Sequence, residues 1–271
     1  MLFDSHTHLN EESLNDSQRA KLAEEIEASD VGYIVDIGFN LESSLIASKH
    51  AEKYPWCYAA AGYHPHDAKS MDEMSFRGIK ALAKKPKVVA MGEMGLDFHY
   101  DHSPRDVQRD CFRKQIRLAN ELKMPIVVHS READQEVMDI LREEQAFSAA
   151  RASWFPERDG KPDAHVLLHC FSGSSELAKQ YIKLGATISI AGPITYKNAR
   201  KNIEVARDIP IEYLLIETDA PYLAPEPFRG SRNKAQYVEY TARKVAAIKG
   251  MAYEDVAGIT CENAKRFYGI I

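Results

Sequence analysis

Cysteine is scarce in this chain. Cys57, Cys111, Cys170 and Cys261 are spread through 271 residues, and none forms a CxxC pair. With no secretory leader read at the start, they are expected to be reduced thiols of a cytoplasmic protein. Long apolar runs are missing as well. None approaches the roughly 20 residues of a membrane span, which excludes a helical membrane protein. Positive charge is not in excess either: the formal net charge is −5. That argues against a broad basic surface for long duplex DNA, and leaves room for a small local footprint on nucleic acid. No low-complexity linker or composition shift breaks the chain, so residues 1–271 are read as a single domain.

What is present is an alternation of short β-like runs and longer charged, helix-periodic ones. Strands are expected near 2–5, 33–38, 56–61, 88–93, 126–129, 165–169, 186–190 and 213–219. Helices are expected over 16–28, 41–54, 72–84, 104–123, 133–145, 174–184, 197–209 and 234–249, with a last one over 253–267. Eight β/α units in a chain of this length predict an α/β fold, a parallel eight-stranded (β/α)8 TIM barrel. The alternative is an open doubly wound sheet. Residues 146–163, with Pro156, Gly160 and Pro162, show no clear period. They lead into a strand and are placed at the N-terminal rim of the barrel, where Trp154 and Phe155 either cover its floor or dock a partner.

The chemistry begins at His6 and His8 in Leu2-Phe3-Asp4-Ser5-His6-Thr7-His8-Leu9. Residues i and i+2 of a strand point the same way, so two imidazoles project side by side, as in a divalent-metal site. Strand C-terminal ends converge on one mouth of a barrel. Glu93 is read at the end of strand four, His129 of strand five, His169 of strand six and Asp219 of strand eight. Six N/O ligands around one point are too many for one tetrahedral zinc with an open position, which needs three. They suit a two-metal centre about 3.5–4 Å wide. Glu93, central in strand order, is expected to bridge. His6, His8, Glu93 and Asp219 then hold one ion, and Glu93, His129 and His169 the other. Asp219 can also take a proton from a water acidified there.

At these residues the chain resembles the TatD family of metal-dependent deoxyribonucleases, within the wider amidohydrolase-like barrels. The matching runs are Asp4-Ser5-His6-Thr7-His8-Leu9, Gly62-Tyr63-His64-Pro65-His66, Gly92-Glu93-Met94-Gly95-Leu96-Asp97, His129-Ser130-Arg131, His169-Cys170-Phe171-Ser172-Gly173 and Glu217-Thr218-Asp219-Ala220-Pro221-Tyr222-Leu223. The resemblance implies a nuclease that hydrolyses phosphodiester bonds by 3′-to-5′ trimming of DNA, on single strands or 3′ ends. It implies the same ligand set. It does not distinguish zinc, manganese and magnesium. Two departures stand out. The family usually continues Arg-Asn-Glu-Pro after strand eight, whereas this chain has Arg232-Asn233-Lys234-Ala235; residues 146–163 also look longer than usual.

Around the ligands, His64 and His66 follow strand three. His64 is read as a donor to a phosphate oxygen or leaving group, the role the resemblance favours. Glu217 shares a strand face with Asp219, and an unpaired buried carboxylate is costly, so it is expected to orient a ligand histidine or a water. Arg131, Arg229 and Arg232, with Lys234, are the candidate phosphate contacts. Phe98, Tyr100 and Tyr222 are candidate stacking rings. His165 is read as structural, and His50 as exposed on a helix. The same metal centre would equally attack a carbonyl, so an esterase, lactonase or aminoacyl-tRNA ester hydrolase is the rival enzymatic reading. A metal-stabilised scaffold is the non-enzymatic one.

Overall fold

A computed structural model describes all 271 residues. The strands are β1 (Leu2–Thr7), β2 (Val31–Ile37), β3 (Cys57–Ala61), β4 (Val88–Asp97), β5 (Ile126–Arg131), β6 (Val166–Leu168), β7 (Thr187–Ile190) and β8 (Leu214–Ile216). The helices are α1 (Asp16–Glu27), α2 (Leu41–Lys53), α3 (Glu73–Leu82), α4 (Arg105–Leu122), α5 (Asp134–Glu143), α6 (Ala149–Ala152), α7 (Ser175–Lys183), α8 (Arg200–Asp208), α9 (Val238–Lys249) and α10 (Tyr253–Tyr268). The eight strands form one sheet in chain order, and every described strand pair is parallel. A bridge from Thr7 to Ala220 brings the chain after β8 back to β1. This is the expected (β/α)8 barrel; a doubly wound sheet would reverse its strand order.

Local sequence explains the elements. Asn15, Asn40 and Asp72 each cap a helix by accepting the N–H three residues on, and the side chain there reaches back to the cap. The strands are apolar on both faces, as parallel strands covered by helices must be: Ile34, Val35, Ile37, Ala59, Ala60, Ala61, Val127 and Val128 are fully buried.

Two compact units divide the chain. One comprises Met1–Asp36, Cys170–Ile182 and Thr187–Ile271, the other Ile37–His169 and Lys183–Ala186. In the first, α10 packs on β1 and β8, and Tyr268 donates its hydroxyl to the Ser5 carbonyl at 2.9 Å. In the second, β4 lies between β3 and β5. It aligns Gly95 with His129 and Asp97 with Arg131. Gly95 has φ +147°, and a Cβ there would stand 1.9 Å from the His129 carbonyl oxygen. Only glycine permits that approach.

Several strand ends differ from the sequence expectation, β1 and β5 running on to Thr7 and Arg131. β4 runs past Glu93 to Asp97. β6 and β8 are shorter, leaving His169 and residues 217–219 beyond the strands. Left-handed backbone at His165 (φ +48°), Cys170 (φ +43°) and Asp219 (φ +57°) ends the ladders there. The stretch 146–163 is not structureless. It holds α6 and buries Arg151 and Arg158. Phe155 stacks on His165 at 4.1 Å, consistent with a covering role. His50 is half-buried rather than exposed, because its ring turns toward Tyr54.

Candidate metal centre

In the second unit, β4, β5 and the residue after β6 direct side chains at one carboxylate. His169 Nε2 lies 2.6 Å and His129 Nδ1 2.8 Å from the same Glu93 oxygen, and His64 Nε2 lies 3.5 Å from it. His129 Nδ1 and His169 Nε2 are 3.3 Å apart. Glu93 and His169 are buried. The position of His64 follows from its loop: Pro65 and His66 open a 3-10 turn, and the His66 N–H donates to His64 Nδ1 at 3.1 Å. With Nδ1 accepting, a neutral His64 carries its proton on Nε2. Burial pushes its pKa well below the ordinary value despite the Glu93 charge, so the ring stays neutral. His129 behaves oppositely. Burial favours its neutral form, but hydrogen bonds to Asp97 and Glu93 outweigh that and raise its pKa.

In the first unit, β1 and the turn after β8 build a second group. His6 Nε2 and His8 Nε2 approach one Asp219 oxygen at 3.7 and 3.4 Å, and their rings stand edge to face. The backbone ties them: Asp219 N–H donates to the His6 carbonyl at 2.9 Å, and His8 N–H to the Ala220 carbonyl at 2.7 Å. Asp4, buried beneath, accepts from the Thr218 amide at 2.8 Å and hydroxyl at 2.5 Å. Burial raises its pKa well above the usual range. The sequence carried Asp4 only as part of a run, without a task.

Both groups suit a divalent ion. Ligand atoms about 2.1 Å from one cation stand roughly 3.0–3.5 Å from each other. The separations of 3.4 and 3.3 Å fall in that range, and that of 3.7 Å lies just beyond it. The two shorter contacts to Glu93 are hydrogen bonds whose protons a cation would displace.

The chain matches the family described as TatD related DNase over residues 3–269. The chain belongs to that family. It is 44% identical over 270 residues to YabD, a metal-dependent hydrolase of Bacillus subtilis, with all of both chains covered. It is 31% identical over 264 residues to a protein of Rahnella named 3′-5′ ssDNA/RNA exonuclease TatD, covering 94% of each. The crystal structure of YJJV, a TatD homologue from Escherichia coli, aligns with a TM-score of 0.86 at 25% identity, covering 100% of this chain and 98% of that one. The protein is thus a metal-dependent hydrolase of the TatD family.

The remaining residues divide by what holds them. Glu217 is buried, and its oxygens accept from the Cys170 amide at 2.7 Å and the Ser189 hydroxyl. It thereby fixes the left-handed residue directly after His169. In the loop where this TatD-family chain departs from the usual pattern, Asn233 donates to the Thr218 and Tyr222 carbonyls at 2.8 and 2.6 Å. Lys234 pairs with Glu25 at 2.6 Å. Arg229 covers Tyr196 at 4.3 Å and Arg131 covers Tyr100 at 4.5 Å; Arg229 and Arg232 are exposed. Phe98 lies under Arg105 and Arg109, so its faces are taken by guanidinium groups. Tyr100 is exposed but stacked on His102, and Tyr222 donates its hydroxyl to Glu11 at 2.8 Å. Asp97 went unassigned in the sequence. Burial raises its pKa, but hydrogen bonds from His129, the Tyr100 amide and His66 outweigh this and hold it far below the carboxylate range. Its one sequence signal was its position four residues after Glu93, at the end of the same motif. The four cysteines are free thiols, and no helix is long and apolar enough to cross a membrane.

Proposed function

We propose that this protein hydrolyses phosphodiester bonds of single-stranded DNA, trimming from 3′ ends with two divalent cations. In the first unit His6, His8 and Asp219 would hold one ion, and in the second Glu93, His129 and His169 would hold the other. The observation that carries this reading is the gathering of His129, His169 and His64 on one Glu93 oxygen. So many metal-ligating nitrogens around one carboxylate oxygen suit a cation that takes the place of their shared protons. Cations bound there would acidify a water and neutralise charge developing on the phosphate.

This chain's residues then divide the work. Asp219 accepts the nucleophile's proton. Neutral His64, with its proton on Nε2, donates to a phosphate or leaving oxygen. Arg131, Arg229 and Arg232 supply planar forks that suit phosphate. Glu217 serves from outside, by holding the Cys170 amide. The substrate class is supported by the exonuclease name of the Rahnella relative. A working unit of one barrel in a cytoplasmic setting is part of the proposal, and free thiols support the latter.

The test is an assay of metal-loaded protein on a short single-stranded oligonucleotide labelled at its 5′ end, beside the Asp219→Asn variant. A ladder shortening from the 3′ end, lost in the variant, is expected. Equal activity of the two proteins removes the mechanism. Aminoacyl esters and lactones run in parallel decide the bond, since faster turnover of either would favour the carbonyl reading. Elemental analysis should return about two ions per chain.

A further inference from the structure

Asp97 closes β4 and is fully buried. Its Oδ1 accepts the His99 and Tyr100 backbone N–H groups at 3.0 and 2.9 Å. Its Oδ2 faces two imidazoles, His66 Nε2 at 2.9 Å and His129 Nε2 at 3.3 Å. Gln108 on α4, also buried, clamps the backbone from both sides. It accepts the Asp97 N–H at 2.9 Å and donates to the Asp97 carbonyl at 3.1 Å. An ionised carboxylate only accepts, so each ring nitrogen that bonds to it must carry a proton. A neutral imidazole has one proton. With Nε2 protonated, the lone pair sits on Nδ1, and His129 Nδ1 is the atom that faces Glu93 and His169.

We propose that Asp97 is a positioning residue: it locks His129 in the Nε2–H tautomer, so that Nδ1 meets the cation, and uses His66 as a second anchor rather than as a ligand. The inference rests on His129 being a metal ligand. Carboxylates behind metal-bound histidines fix ring orientation in this way, and their loss typically weakens metal affinity 10- to 100-fold.

The experiment is zinc titration calorimetry on wild type, Asp97→Asn and His66→Phe, with 15N-histidine NMR of the zinc-loaded proteins. Asp97→Asn should bind zinc roughly 10- to 100-fold more weakly, while the metal-free protein keeps its far-ultraviolet circular dichroism. His66→Phe should stay within about threefold of wild type, since the tautomer of His129 is still fixed. In loaded wild type, His129 should show a proton on Nε2 and none on Nδ1. Unchanged affinity in Asp97→Asn overturns the proposal. So does an equal loss in His66→Phe, because the carboxylate would then act through that ring. If Asp97→Asn does not fold, the wild-type spectrum still decides: a His129 bound through Nε2 overturns the proposal. A wild type that binds no zinc, manganese or magnesium strikes the metal reading itself, a different failure.

Discussion

The unit built from Ile37–His169 and Lys183–Ala186 buries polar groups at both ends of its strands, and the two ends are constructed in opposite ways. Near the strand starts, cations meet fixed acceptors. Arg151 donates to the carbonyls of Ala164 at 2.9 Å and Met124 at 2.7 Å, and to the Asn120 side chain at 2.7 Å. Arg158 donates to the Ala186 carbonyl at 3.1 Å and to Asp163 at 2.5 Å. Toward the strand tails one acceptor is shared: three imidazoles crowd a single Glu93 oxygen, and two ring nitrogens face each other at 3.3 Å. One arrangement matches donors to acceptors, and its value is stability. The other is the arrangement proposed above to take a cation, and the value proposed for it is chemistry. Strain and unfavourable electrostatics collect where function needs them.

The sharpest way to break this comparison is Glu93→Gln. The change keeps shape and removes charge. Hydrolysis should fall at least about a thousandfold, about 4 kcal/mol of transition-state stabilisation. Metal-free stability should stay within about 1 kcal/mol of wild type, or rise, because a crowded carboxylate is gone. Initial rates with saturating metal and urea unfolding after chelation would measure the two. A destabilisation of several kcal/mol with activity intact would mean that the strand tails are structural after all.

Arg151→Met is the mirror experiment. Methionine fills much of the volume and leaves four acceptors without their donor, and an unsatisfied buried acceptor typically costs about 1–3 kcal/mol. The urea midpoint should drop accordingly. Rates per folded molecule should change less than about twofold, since nothing that Arg151 touches is a ligand. A rate loss larger than the stability loss would couple the two ends and remove the distinction.

How far these two ends could be read beforehand follows from the same contrast. The candidate site at the strand tails could be proposed from sequence because residue types able to ligate a metal are rare and recur at regular intervals. His6, His8, Glu93, His129, His169 and Asp219 each follow an apolar run, and the eightfold alternation supplied the frame. The strand starts were not legible. Arg151 and Arg158 lie in an aperiodic stretch, and an arginine in such a stretch reads as solvated surface. Only the fold reveals that backbone carbonyls wait for them. Asp97 was missed for a different reason. β4 was expected to end at Glu93, and the glycines that let it continue alongside β5 look like loop residues in a sequence. The ion pair of Lys234 was not legible because its partner Glu25 is more than two hundred residues away.

Lys234 offers the finest test, because it separates a loop cation that touches substrate from one that does not. Its ion pair with Glu25 is partly exposed, with side chains 35% and 28% accessible. Such pairs contribute about 0.2–1 kcal/mol and weaken with salt. Lys234→Ala should therefore cost no more than about 1 kcal/mol and leave DNA hydrolysis within about twofold. The sign of its pH dependence follows from Glu25. The hydrogen bond from Lys234 holds that carboxyl below its ordinary pKa. A depressed carboxyl stabilises the fold above its unfolded pKa and loses that contribution as pH falls through the folded value. The gap between wild type and Lys234→Ala should be full at pH 7 and close between about pH 5 and pH 3. A tenfold loss of hydrolysis at pH 7, with the stability gap as small as expected, would place Lys234 among the cations proposed to meet substrate.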